Sequence, residues 1–152
     1  MRPDDLATVN RIAGQVHPNF PESDAIPTER LALYPAGCLV LETDADVTGY
    51  TVSHPWQAGK PPALDHLLGQ LPDHPGTFYL HDLALLPAAR GTGAATQAVG
   101  LLVALAARAG LPTMTLVAVN NATGFWQRQG FRIIGAAPAS YGADARVMTR
   151  EI

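Results

Sequence analysis

Apolar residues recur at helical spacing from Leu6 through Val9, Ile12, Ala13 and Val16. This stripe predicts an amphipathic helix capped by Asp4 or Asp5 and ending near Val16. Pro18, Pro21 and Pro27 then punctuate a loop. A short second helix is expected over about Thr28–Tyr34, with Leu31 and Tyr34 turned inward. Pro35-Ala36-Gly37 turns the chain, and β-rich runs over Cys38–Glu42 and Val47–Ser53 flank Thr43-Asp44-Ala45-Asp46 as a hairpin. His54–Gly76 is the least regular stretch; Pro61-Pro62 is placed to open a short helix over Ala63–Leu68.

The downstream half alternates strand and helix. Strands are predicted over Thr77–Leu86, Thr113–Val119, Phe131–Gly135 and Arg146–Ile152. A helix over Thr92–Ala109, apolar on nearly all sides and therefore expected to be buried, stops at Gly110 and Pro112. Asn121 or Thr123 is expected to cap another helix over about Gly124–Gln129, closed by Gly130. Strands separated by helices imply a mixed sheet covered on both faces. The early and late hairpins add antiparallel strands.

The most informative junction is Leu80–Ala95, L-H-D-L-A-L-L-P-A-A-R-G-T-G-A-A. A strand runs into a tight glycine loop and then directly into a helix N-terminus. Backbone N–H groups converge there at the positive end of the helix dipole, which suits a phosphate or pyrophosphate. A Walker A loop would need a lysine after the last glycine, but Gly93 is followed by Ala94-Ala95. A dinucleotide fingerprint would need a third glycine, and Thr96 stands in its place.

Composition narrows the function further. The 152 residues fit one domain with a proper core. At 47% hydrophobic and 15% charged, the chain is globular rather than disordered. A net charge of -3 with no basic face argues against nucleic acid as a partner. Cys38 is the single cysteine, so no internal disulfide forms, and its apolar neighbours mark it as a buried small hydrophobe. His54, His66 and His74, with Asp65 and Asp73, show no ligand spacing on a definite element, so no metal is expected. The charged N-terminus lacks a signal-peptide core, and the longest apolar run, around Val99–Ala107, is too short to span a bilayer. A soluble, cytoplasmic protein is expected. Nine arginines against one lysine fit a GC-rich bacterial coding sequence.

Arg90-Gly91-Thr92-Gly93-Ala94, preceded by a strand and a proline, resembles the acyl-CoA-binding motif of the GNAT superfamily of N-acetyltransferases. The motif's first polar position falls on Ala88, a departure of small weight because its contacts come mainly from backbone N–H groups. V-A-V-N-N-A-T-G-F-W-Q-R-Q-G-F resembles the family's second segment through Asn120 or Asn121, Ala122, Phe125, Gly130 and Phe131. The two motifs cover about half the chain, in the family's order and spacing. The resemblance implies an α/β (α+β) fold. Its mixed, mostly antiparallel sheet would have about six to seven strands and about four flanking helices, splayed at the strand before the glycine loop.

It further implies acetyl-CoA as co-substrate and a primary amine as acceptor. The pyrophosphate would rest on N–H groups from Arg90 through Gly91, Thr92, Gly93 and Ala94 to Ala95, and the Arg90 side chain either adds charge or lies on the surface. The pantetheine arm would pair with the open edge of Leu83, Ala84 and Leu85, and an N–H near Leu85 would face the thioester oxygen. Asn120, Asn121, Phe125 and Trp126 complete the implied cofactor contacts. An alkyl ammonium must lose a proton before it attacks, and His81 or Asp82 is the candidate base. Neighbours on a strand point to opposite faces, so at most one of them should face the cleft.

Where the family commonly has a tyrosine as acid for the departing thiolate, this chain has Trp126, whose indole only donates a hydrogen bond. Tyr141 either supplies a phenol or serves as a turn aromatic. The acceptor pocket would be built from His17–Pro27, Ser53–Gly59 and Tyr141–Asp144, with Glu22 and Asp24 attracting a cationic amine. The expected activity is N-acetyl transfer by direct attack in a ternary complex. The alternative is a non-catalytic acyl-CoA sensor or interaction module on the same fold. Edge strands of so small a sheet make a homodimer a further expectation.

Overall fold

The structure, a computed structural model, describes residues 1–43 and 46–152. Its elements run α1 (Leu6–Val16), α2 (Ala25–Leu33), β1 (Leu39–Thr43), β2 (Asp46–Trp56), β3 (Thr77–Leu85), α3 (Ala94–Arg108), β4 (Thr113–Ala118), α4 (Thr123–Arg128), β5 (Arg132–Ala136) and β6 (Arg146–Glu151). The six strands are ordered β1-β2-β3-β4-β6-β5. Only β3 and β4 are parallel; every other neighbouring pair is antiparallel. The mixed, mostly antiparallel sheet with four helices agrees with expectation. The tip of the first hairpin, Asp44-Ala45, lies outside the described residues.

Each face of the sheet buries its own core. Phe78, Leu80, Met114, Leu116 and Met148 meet Val99, Leu102 and Ala106 of α3 on one side. Val9 and Ile12 of α1 meet Tyr50, Val52 and Ala84 on the other. Each large aliphatic side chain removed from water in this way contributes about 1.5–3 kcal/mol.

Several local expectations give way to tertiary contacts. Asp5 bonds backward to the Arg2 N–H at 2.6 Å instead of capping α1. The second helix starts at Ala25, three residues early, because Pro27 falls within its first turn, where no N–H is needed. β2 runs on to Trp56 because it pairs with β3 as far as Thr77. Helix α3 is buried on one face only: Leu101 is 55% exposed, since a single sheet covers the helix. Neither Asn121 nor Thr123 caps α4. Ala122 holds the N-cap position, and Asn120 and Asn121 are both left-handed, at φ 54° and 57°.

No helix forms over Ala63–Leu68. Its N–H groups are claimed by distant side chains instead. Leu64 donates to Ser140 Oγ at 3.1 Å, Asp65 to Glu22 at 2.9 Å, and Leu68 and Gly69 to the Glu29 carboxylate at 2.9 and 2.8 Å. Among the described residues, no helix is long and apolar enough to cross a membrane.

Candidate active site

The site begins with a one-residue irregularity. Val52 pairs with Asp82, but Ser53 pairs with Leu80, so His81 is an extra residue in β3. Such a bulge resets the alternation of side chains and sharpens the local twist. Phe78, Leu80 and Leu83 pack on the α3 side. His81 and Asp82 therefore both line the cavity on the α1 side. The expectation that only one of them faces the cleft is corrected, because strict alternation does not survive a bulge.

Beyond the bulge the sheet splits. β3 and β4 pair only at Phe78–Met114, Tyr79–Thr115 and Leu80–Leu116. After that, β3 stays with β2 and β4 stays with β6. A cavity of about 780 Å³ opens in the wedge, reaching from Arg90 past His81 and Asp82 to Phe125, Trp126 and Tyr141. The Leu86 N–H donates to the Thr48 carbonyl at 2.9 Å. Antiparallel alternation then turns the polar backbone groups of Leu85 and Leu83 away from β2, onto the open edge. The Arg90 Nε–H caps that edge by donating to the Leu85 carbonyl at 3.1 Å. Ala84 points its methyl into the α1 core, and the same alternation directs its backbone groups onto β2, so it does not join the expected cofactor contacts.

The loop after β3 leaves most of the expected amides unpaired, but the Arg90 N–H is taken by the Pro87 carbonyl at 3.1 Å and does not join them. Gly91 and Gly93 adopt φ 76° and 87°, a region that favours glycine. Thr92 Oγ1 donates to the Ala89 carbonyl at 2.9 Å and accepts from the Ala94 N–H at 3.3 Å. The N–H groups of Gly91, Thr92, Gly93, Ala95 and Thr96 bond to nothing else in the described chain. No acidic residue sits in the first turn of α3, so nothing competes there with an incoming anion.

Two histidine–carboxylate pairs and two tyrosines gather around the bulge. Asp82 accepts a hydrogen bond from the Tyr50 hydroxyl and pairs with His17 Nε2 at 3.0 Å. Burial pushes the Asp82 carboxyl up, but His17 and Tyr50 outweigh it and hold the group below its usual range. Burial likewise opposes a charge on His17, yet Asp82 lifts its pKa above the ordinary value. His81 Nε2 lies 2.9 Å from Glu22 Oε2. Burial pushes the Tyr141 phenol up to about 12, so at neutral pH it is a donor.

Trp126 is 8% exposed and wedged edge-on against Phe125 and Phe131, at centroid separations of 4.9 and 5.5 Å. Asn120 lines the cavity and sits 3.3 Å from His17 Nδ1; Asn121 is exposed and outside it. Of the expected acceptor pocket, His17–Pro27 and Tyr141 form walls, whereas Ser53–Gly59 and Asp144 do not. Ser53 and His54 are instead buried within β2.

His17 and Tyr50 are site residues that the sequence reading did not single out. His17 lies four residues after Ala13 and so continues the sheet-facing stripe of α1, which is the signal that points to it. Tyr50 has no such local signal. Among the described residues, no group of three or more His, Cys, Asp or Glu is placed to hold a metal ion.

A parallel sheet junction thus splays beside a glycine loop, with unpaired backbone amides at one end and ionisable groups at the other. The model of the acetyltransferase (GNAT) family matches residues 8–131, and the chain belongs to that family. Its fold is that of a GNAT-like decarboxylase, GphF, in complex with isobutyryl-CoA (18% identity, TM-score 0.85, covering 99% of this chain and 96% of that one). Ard1 from Thermoplasma volcanium is similar at 17% identity and TM-score 0.80, over 100% and 94% of the two chains. Naa50 from Arabidopsis thaliana, bound to the bisubstrate analogue CoA-Ac-MVNAL, is similar at 14% identity and TM-score 0.76, over 100% and 95%. No protein of curated function matches the chain by sequence.

Proposed function

We propose that the protein transfers the acetyl group of acetyl-CoA to a primary amine of a small molecule, amino-acid derivative or peptide, by direct attack in a ternary complex. One observation carries this reading. The wedge between β3 and β4 holds the paired carboxylates and histidines of the bulge and runs past Leu83 to Arg90, where the chain enters the glycine loop with its unpaired amides.

In this reading the diphosphate lies on the N–H groups of Gly91, Thr92, Gly93, Ala95 and Thr96. The pantetheine arm pairs with the backbone of Leu83 and Leu85, and an N–H on that edge polarises the thioester carbonyl. The amine enters from the His17–Pro27 side, where Glu22 and Asp82 favour a cation. It loses a proton to a group at the bulge, attacks the carbonyl carbon, and expels the thiolate. The solved relatives bound to CoA analogues and to a peptide-like acceptor support the same assignment of co-substrate and acceptor.

A second reading has its own observation. Trp126 occupies the position where a phenol commonly serves the thiolate, and it is packed into the core. A non-catalytic acyl-CoA-binding module fits that feature. Thiol release from acetyl-CoA, measured over a panel of amines, amino-acid amides and short peptides, separates the two. An N-acetylated product confirmed by mass supports the enzyme. Protection from melting by acetyl-CoA with no product across the panel supports the module. No protection, and no change in the amide signals of Arg90–Ala95, removes both.

A further inference from the structure

The two histidine–carboxylate pairs at the bulge are built differently. Asp82 is occupied on both sides, by the Tyr50 hydroxyl and by His17, and is held anionic. A carboxylate that binds its proton so weakly is a poor acceptor for another. His81 is different. Its side chain is 4% exposed, its Nε2 is engaged by Glu22, and its Nδ1 is buried with no partner among the described residues. A carboxylate accepts only from an N–H, so Glu22 selects the tautomer whose proton sits on Nε2. The lone pair is then on Nδ1, in a residue that lines the cavity.

Glu22 is itself braced. Its other oxygen accepts the Asp65 N–H at 2.9 Å, while Asp65 Oδ1 accepts the Ser23 N–H at 2.7 Å. The loop behind Asp65 is pinned to α2 by the Glu29 carboxylate and by the fully buried Arg30, which donates to the His66 carbonyl at 2.8 Å. The irregular stretch that might have formed a helix is thus the support for Glu22.

We propose that Glu22 is a positioning residue that orients His81 as the proton acceptor of the transfer, while Asp82 stays locked in a Tyr50–Asp82–His17 chain. This rests on the acetyltransferase reading. Nδ1 of His81 takes one proton from the acceptor ammonium. The freed amine bonds to the acetyl carbon, and collapse of the tetrahedral adduct breaks the C–S bond with the electron pair leaving on sulfur. The thiolate takes the proton released from nitrogen, and the imidazolium returns its proton to water. The charged and titratable groups facing His81 are Glu22 from the loop, His54 from β2, and Tyr79 and Asp82 from β3; His17 from the end of α1, Asp24 ahead of α2 and Tyr141 ahead of β6 line the same cavity.

Histidine imidazole NMR on the full chain tests the pair without any acceptor. His81 should appear as the Nε2–H tautomer, with an exchange-protected Nε2–H signal that is lost in Glu22→Ala, because the carboxylate is the acceptor that holds that proton. In acetyl transfer to an amine accepted in the panel, Glu22→Gln should lower kcat roughly 10- to 100-fold. The KM for acetyl-CoA should stay within about twofold, and Glu22→Asp should recover part of the rate. An Nδ1–H tautomer, or an Nε2–H signal that persists unchanged in Glu22→Ala, overturns the proposal even if the wild type acetylates amines. A wild type that acetylates nothing in the panel, with the His81 Nε2–H signal present and lost in Glu22→Ala, overturns the acetyltransferase reading instead.

Discussion

Gly93→Ala separates the needs of the fold from those of the cofactor. Gly93 holds the N-cap of α3 at φ 87°, ψ -5°. An L-residue in this region costs about 1–2 kcal/mol. A Cβ built there meets nothing within 4 Å, so no steric cost within the protein is added. For a chain of this size the melting temperature should fall by about 2–8 °C. The new methyl, however, stands beside the amides assigned to the diphosphate. Losing one charge-assisted hydrogen bond there, worth about 1.5–3 kcal/mol, weakens acetyl-CoA binding roughly 10- to 150-fold.

Gly100→Ala is the control. That glycine lies inside α3, is exposed, and also has nothing within 4 Å of an added Cβ. The change should stabilise by about 0.5–1 kcal/mol and leave binding alone. Calorimetric titration with acetyl-CoA, alongside thermal melts, reads both quantities. A Gly93→Ala protein that melts lower yet binds acetyl-CoA like the wild type would refute the placement of the diphosphate on this loop.

Two further outcomes follow from buried titratable groups. Burial drives His54 down to about 3, so it folds as the neutral form with Nδ1 against the Pro55 carbonyl at 3.0 Å. The unfolded chain binds a proton that the folded one refuses, so stability falls as pH drops below 6.5, by up to about 1.4 kcal/mol per pH unit until the folded value is reached. Between pH 7 and 4 this group alone costs roughly 3 kcal/mol, and His54→Asn should flatten the acid limb of urea unfolding by that amount; equal acid limbs would count against it. Burial likewise lifts the Cys38 thiol up to about 11. An aromatic disulfide reagent at pH 8 should label the native thiol at least about 100-fold more slowly than the urea-unfolded one, and rapid native labelling would contradict that burial.

Where chemistry depends on backbone, the chain is legible residue by residue. Gly91-Thr92-Gly93 announces a loop with left-handed positions and free amides, because only glycine takes those angles cheaply. The alanine-rich run behind it announces the helix whose N-terminus faces an anion. The alternation over Thr77–Leu85 announces β3. Nothing in that alternation announces the bulge at His81, since a bulge depends on how two strands register against each other.

The amino-acid sequence by itself determined the order of elements outside the stretch between β2 and β3, the glycine loop and the family to which the chain belongs, because turn angles, helical stripes and strand alternation are properties of near neighbours. Tertiary structure decided which side chains meet. His17, Glu22 and Tyr50 reach the β3 bulge across 65, 59 and 32 residues of chain, respectively. Asp65 bends left-handed, and the predicted helix around it is lost, because Glu22, Glu29 and Ser140 take its N–H groups. A local preference of a few tenths of a kcal/mol per residue yields to hydrogen bonds to charged groups worth about 1.5–3 kcal/mol each, and those partners exist only once the sheet has brought them together.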